Sequence, residues 1–267
     1  MAAVGGALVA GAALFGYAAH KNAWPAKMHS YMSGRTDPCC IEAVIKSLGV
    51  GAGDPFFDKV DAIRDFVHSN SVSANHDFDR DLHPYDTGGV IRALLEVETG
   101  NREPVGLLCS SRANAMTGLL SQIGIQSRQV HVFSEENGSH TFLEVKNPED
   151  GRWHIQDPDY DLIWLDEAKQ KRLGLGEMLT LSLDNVVPCH STDNCDWKYA
   201  SNLRPYFGAA IYFNFDATPL IIVNQDRYDL DAVLEYNTPP GTIIDFARIN
   251  WGSDFGKPVL SVIHGAP

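Results

Sequence analysis

Basic residues are scarce in this chain: 21 lysines and arginines stand against 34 aspartates and glutamates, a formal net charge of −13. That balance argues against nucleic-acid binding, and against docking on anionic lipid by general electrostatics. There is no internal repeat, and no low-complexity tract beyond an alanine- and glycine-rich opening. No basic residue precedes that opening, AAVGGALVAGAALFGYAA (residues 2–19), so it lacks the start of an ordinary secretory signal. It carries no charge at all and is just long enough to span a bilayer, which makes it a candidate membrane anchor or signal-like segment. Lys21 and Lys27 behind it favour a cytoplasmic body by the positive-inside rule. The cysteines favour an oxidising compartment instead, and the reading adopted is an anchored or exported body at the cell envelope.

Cysteines number five, with no C-x-x-C hook among them. Cys189 and Cys195 bracket the polar loop CHSTDNC, where a local disulfide is plausible. A zinc site built on Cys189, His190 and Cys195 lacks the usual ligand spacing, so no metal or cofactor is expected. Adjacent Cys39 and Cys40 seldom bridge each other. Cys109 then stands alone as the thiol whose role has to be decided.

What is present is enough apolar residue, 44%, for a real core. Residues 1–22 read as the anchor and 23–54, with proline, glycine and little periodicity, as a connector. In FFDKVDAIRDFVHSN the apolar positions Phe57, Val60, Ile63 and Val67 have helical spacing. After a loop rich in Asp, Pro and Gly, GVIRALLEVET forms a second helix stopped by Gly100. Cys109 opens a third, with Ala113, Met116, Leu120 and Ile123 on one stripe and Gly124 at its end. Three strands follow: QVHVF, HTFLEVK and RWHIQD. DLIWLDEAKQKRLG is read as a further short helix, and AAIYFNF, LIIVNQ, GTIIDFARI and PVLSVIHG as β-rich. Helices leading into an antiparallel sheet make an α+β fold, with a core over residues 55–195. The β-rich extension, 196–267, either completes the sheet or is appended to it.

A nucleophilic cysteine needs stabilisation of its thiolate, a base, and a group that orients the base. A helix start supplies the first through unpaired N–H groups and the macrodipole, with Ser110 and Ser111 near the cap. His140 opens the second strand, sharing a face with Phe142 and Glu144. Asp157 ends the third, sharing a face with Trp153 and Ile155. A short turn makes the two strands antiparallel neighbours, which brings His140 and Asp157 together. Asp159 and Asp161 are nearby substitutes for Asp157. His131 and His154 lie on strands without convergent facing, so they are not read as ligands.

These pieces, Cys109 at a helix start, GIQSRQVHVF (124–133), SHTFLEV (139–145) and WHIQDPDYD (153–161), resemble the transglutaminase-like superfamily of papain-like cysteine enzymes. The likeness covers residues 55–165. It implies helices packed on an antiparallel sheet, Cys109 as nucleophile, His140 as base then acid, and Asp157 as orienter. It also implies a peptide or protein amide substrate, resolved through a thioester by water or by a second amine. One donor to the oxyanion would be the backbone N–H of Cys109. The chain has no Gln before Gln122, and its only earlier Trp is Trp24. Asn70, Asn75, Tyr85 and Asn101 are the remaining candidates for a second donor. The rival readings are a scaffold on the same fold without turnover, and an accessory protein for peptidoglycan or polysaccharide.

Overall fold

Helical periodicity in the first half and alternation in the second both carry through into the computed structural model. It describes residues 38–73, 82, 86–134, 138–195, 203–207, 209–213, 220–224 and 259–263. Four helices come first: α1 (Pro38–Leu48), α2 (Phe56–Ser69), α3 (Thr87–Glu98) and α4 (Cys109–Gln122). Ile41 and Val44 of α1 join Val60, Ile63, Phe66 and Val67 of α2 in one apolar cluster, with Val90, Ile91 and Leu94 of α3 and Met116, Leu119 and Leu120 of α4. Asp86 caps α3 by accepting the Gly89 N–H, 3.0 Å away. Gly100 and Gly124 take φ of +72° and +75°, the left-handed turns that end α3 and α4.

The strands are β1 (Ser71–Ser73), β2 (Val105–Leu107), β3 (Ser127–Ser134), β4 (Gly138–Lys146), β5 (Trp153–Gln156), β6 (Ile163–Asp166), β7 (Val186–Cys189), β8 (Ala209–Phe213), β9 (Leu220–Asn224) and β10 (Val259–Ile263), with one short helix, α5 (Leu175–Thr180), between β6 and β7. β1 and β2 form a small parallel pair that delivers the chain to Cys109. The main sheet runs β10-β9-β8-β3-β4-β5, antiparallel except for the β9–β10 pair. Alternation splits its faces. Leu143 and Val145 point into the helical cluster. Val130, Val132, Phe142 and Ile155 face a second core with Trp164, Leu175, Met178, Leu179 and Phe207. The β3–β5 part of the sheet is therefore covered on both sides.

Three expectations change. The connector read over 23–54 contains α1, whose apolar stripe packs into the core. DLIWLDEAKQKRLG holds β6 rather than a helix, because Ile163 to Asp166 pair with Val186 to Cys189; the short helix starts later, at Leu175. The sheet is mixed at its β10 edge rather than wholly antiparallel. The anchor, residues 2–19, and the strand GTIIDFARI lie outside the described residues. Among the described residues no helix is long and apolar enough to cross a membrane.

α5 is locked to the sheet by Glu144. Its carboxylate accepts the Leu175 N–H at 2.6 Å and the Arg128 Nε–H at 2.8 Å, while Arg128 lies over the Trp153 ring at 4.1 Å. Gly174 leaves no room there: a Cβ would stand 2.4 Å from the Trp153 carbonyl oxygen. Gly174→Ala should therefore cost about 1–3 kcal/mol, the usual penalty of overpacking, in urea unfolding. A variant as stable as the parent would show that this contact relaxes freely.

Candidate active site

Strand register places the imidazole and the carboxylate. β4 and β5 pair Leu143 with Gln156 and Glu144 with Ile155, so Asp157 follows diagonally from His140 on the same face. His140 Nε2 lies 2.7 Å from Asp157 Oδ2. Asp157 Oδ1 accepts the backbone N–H groups of Asp159 (3.0 Å) and Tyr160 (3.3 Å). Its main chain exchanges two hydrogen bonds with Leu162. The carboxylate is thus fixed from both ends and almost wholly buried. Three rings surround the imidazole: Tyr160 at 5.2 Å, Tyr206 at 5.7 Å and Phe142 at 6.1 Å.

Cys109 is the first residue of α4 and half-buried, with a free thiol. The N-cap is Leu108, which has no side-chain acceptor, so the first-turn N–H groups are not capped from that position. Ser111 is buried one turn in, and its hydroxyl makes no hydrogen bond, contrary to a capping role. The Cys109 thiol is among the groups that raise the proton affinity of the His140 imidazole. Because Nε2 is engaged by Asp157, Nδ1 is the nitrogen left for sulfur. Burial alone would lower the proton affinity of His140, but the charge and hydrogen bond of Asp157, with the added contribution of Cys109, outweigh it. Its pKa is raised well above 6.5.

Sign and window follow from that. A raised histidine keeps its proton, and the stability it contributes is complete below about pH 6.5 and fades as pH rises through the folded value. A reaction needing the imidazolium should keep a basic limb well above that pH. In Asp157→Asn the limb should fall towards the ordinary histidine range. An unmoved limb would mean that Asp157 does not set the charge on His140.

All three predicted residues are therefore gathered at one place. The neighbouring candidates go elsewhere. His131 is buried against Thr141 Oγ1 at 2.8 Å and held neutral, by burial first and then by the charge of His140. His154 packs edge-on to Phe57 and contacts Asp150 at 3.2 Å. Asp161 pairs with Arg64 at 2.7 Å, and Asp159 pairs with Arg112 at 2.6 Å. Cys189 and Cys195 form a disulfide, which removes both sulfurs from any zinc set. Among the oxyanion candidates, the Asn70 amide donates to Phe66 and Glu98, and the Asn101 amide donates to Thr99. Both Asn70 protons are thereby taken, whereas Asn101 uses one of its two. Asn75 and Tyr85 lie outside the described residues. Sequence reasoning missed Arg112, Tyr160 and Tyr206. Only the Asp159 partner of Arg112 had been flagged, as part of the DPDYD run.

Comparison with known proteins adds little to this geometry. No family model matches the chain, and no curated relative does. One solved structure, provisionally described as a cysteine protease from Cytophaga hutchinsonii, is similar at 18% identity and a TM-score of 0.33. The match covers 46% of this chain and 37% of that one. A likeness of this extent assigns no activity, so the functional reading rests on the residues themselves.

Proposed function

We propose that this protein is a cysteine-dependent amide hydrolase or acyl transferase working through a Cys109–His140–Asp157 triad and a thioester. The observation that carries the reading is His140, held at Nε2 by the buried Asp157 carboxylate, with Cys109 at a helix start among the groups that raise its proton affinity. In the scheme, His140 already holds, as imidazolium, the proton given up by Cys109, and the thiolate sulfur attacks the amide carbonyl carbon. The backbone N–H of Cys109 donates to the developing oxyanion. The tetrahedral adduct collapses, the C–N bond breaks, and His140 returns its proton to the departing amine. Water then attacks the thioester with His140 as base, releasing the acid and the thiol. Water rather than a second amine is taken as the acceptor in this reading. The Cys189–Cys195 disulfide supports placing the body in an oxidising compartment, anchored or exported through residues 2–19.

A second reading, a scaffold that binds without turnover, is favoured by the engagement of both Asn70 amide protons elsewhere. One missing oxyanion donor typically costs about 2.7–4 kcal/mol of transition-state stabilisation. The two readings part on a peptide-amide and protein library assayed for released amine and ammonia. The enzyme reading expects release by the parent protein and none by Cys109→Ala. Indistinguishable parent and variant would favour the scaffold.

A further inference from the structure

Arg112 has no place in the scheme above, yet it is among the most deeply buried cations of the described residues. It sits one helical turn after Cys109, and its side chain is 2% exposed. Burying a guanidinium costs several kcal/mol unless it is paired and hydrogen-bonded, so its partners identify its role. Its Nη1 donates to both the main-chain carbonyl and the carboxylate of Asp159, at 2.7 and 2.6 Å. The same turn supplies the Asp159 and Tyr160 N–H groups that hold Asp157 Oδ1. An unbroken polar path therefore runs from the nucleophile's helix, through Arg112 and the 158–160 turn, to Asp157 and His140.

Resting on the triad reading, we propose that Arg112 and Asp159 are positioning residues: a buried clamp that sets where α4, and with it the Cys109 sulfur, stands relative to His140. β4 carries the imidazole and the turn after β5 carries the carboxylate, so their spacing is fixed by sheet register. The nucleophile is on another layer. Packing of α4 on the sheet is largely apolar, with one buried polar tie further along the helix, where the Gln129 amide donates to Asn114 Oδ1. Arg112 Nη1, tied to the turn that also holds Asp157, fixes the first turn of α4, the end where the chemistry occurs, which the Asn114–Gln129 bond does not reach. It also neutralises Asp159, which would otherwise place a second negative charge near His140. Charged and titratable groups facing His140 are Cys109 from α4, Asp157 beyond β5, Asp159 and Tyr160 in the turn, Tyr206 near the sheet and His131 from β3. Asp159 additionally meets His68 of α2, whose Nδ1 lies 3.1 Å from its carbonyl oxygen.

The test needs no known substrate. Iodoacetate alkylates a thiolate, and as an anion it reacts faster beside an imidazolium, so its rate against pH has a basic limb that reads the His140 charge. Rates at Cys109 are followed by peptide mass spectrometry in the full-length protein, for the parent, Arg112→Met, Arg112→Lys, Asp159→Asn and His140→Ala. Circular dichroism and thermal melting run alongside. The clamp predicts roughly a 10- to 100-fold slower plateau in Arg112→Met, the scale of a misplaced reacting group, with partial recovery in Arg112→Lys. It also predicts opposite movements of the basic limb. The limb rises in Arg112→Met, where Asp159 loses its counter-charge, and falls in Asp159→Asn, where a negative charge is removed. If Arg112→Met does not fold, the fall in Asp159→Asn decides. Folded variants with parental rate and limb, even at a lower melting temperature, would overturn the clamp and leave the triad standing. A parent protein that alkylates like a free thiol, unaffected by His140→Ala, would overturn both.

Discussion

Replacing His140 with alanine should slow acylation of Cys109 by about 10²- to 10⁴-fold, the usual contribution of a positioned acid–base group. The effect is large because the other strand imidazoles among the described residues are engaged elsewhere. His131 is held neutral by burial and turned to Thr141. His154 lies against Phe57 and Asp150, on the opposite face of β5 from Ile155 and Asp157. Tyr160 surrounds the ring but is itself made a weaker acid, by burial first and then by the carboxylates around it. Asp157→Asn should be milder, about 10²-fold, the scale of a misplaced catalytic group. A neutral amide still accepts one hydrogen bond, but it no longer supports the charge on the ring. The ordering His140→Ala worse than Asp157→Asn, with Cys109→Ala inert, can be read from the burst of a chromogenic thiol-ester or amide. Near-parental acylation in His140→Ala would remove the imidazole from the mechanism.

Arg64→Met should destabilise the fold by about 3–5 kcal/mol, the cost of breaking a buried charge network from one side. Arg64 is 2% exposed in α2, yet its guanidinium reaches four chain segments. Nε donates to Asp161 at 2.7 Å, Nη1 to Asp61 at 2.9 Å and to Gln156 Oε1 at 2.7 Å, and Nη2 to the His190 carbonyl inside the disulfide loop. Removing it leaves a carboxylate, an amide oxygen and a carbonyl without their donor. Asp61 keeps Arg172, at 2.5 Å, so the loss falls on the Asp161 side. By contrast, Lys171→Ala breaks a largely exposed pair with Glu177 and should cost under about 1 kcal/mol. Urea unfolding of the two variants side by side separates the cases. Equal losses would mean that the Arg64 network is hydrated rather than buried.

What could be read before folding was what local pattern controls. Helical spacing marked α2, α3 and α4, and two-residue alternation put His140 with Phe142 and Asp157 with Ile155. A turn of five residues was enough to make β4 and β5 neighbours, and hence to predict the pair that lies 2.7 Å apart. α1 was missed because Pro38 and the adjacent cysteines mask a short stripe, Ile41, Val44 and Ile45, that gains meaning only against α3 and α4. β6 was misread because Asp166, Glu167, Ala168 and Lys169 favour helix on propensity, whereas Ile163, Trp164 and Leu165 are claimed by pairing with β7 and by burial. The polar framework around Arg64 and Arg112 was invisible for a different reason. Apart from Asp61, on the same helix face as Arg64, the partners lie dozens of positions away, and no periodicity announces such an ion pair. Alternation assigned Asp157 of the DPDYD run to His140, but only folding assigned Asp159 to Arg112 and Asp161 to Arg64.

Trapping the acyl intermediate tests the central claim most directly. The protein is mixed with an activated peptide ester, quenched in acid within milliseconds to seconds, and digested for mass spectrometry. A thioester mass on the peptide containing Cys109, forming in the parent protein, much slower in His140→Ala and absent in Cys109→Ala, is the predicted result. Substrate turnover with no acyl mass on that peptide, or an adduct that forms equally fast without His140, would contradict the account.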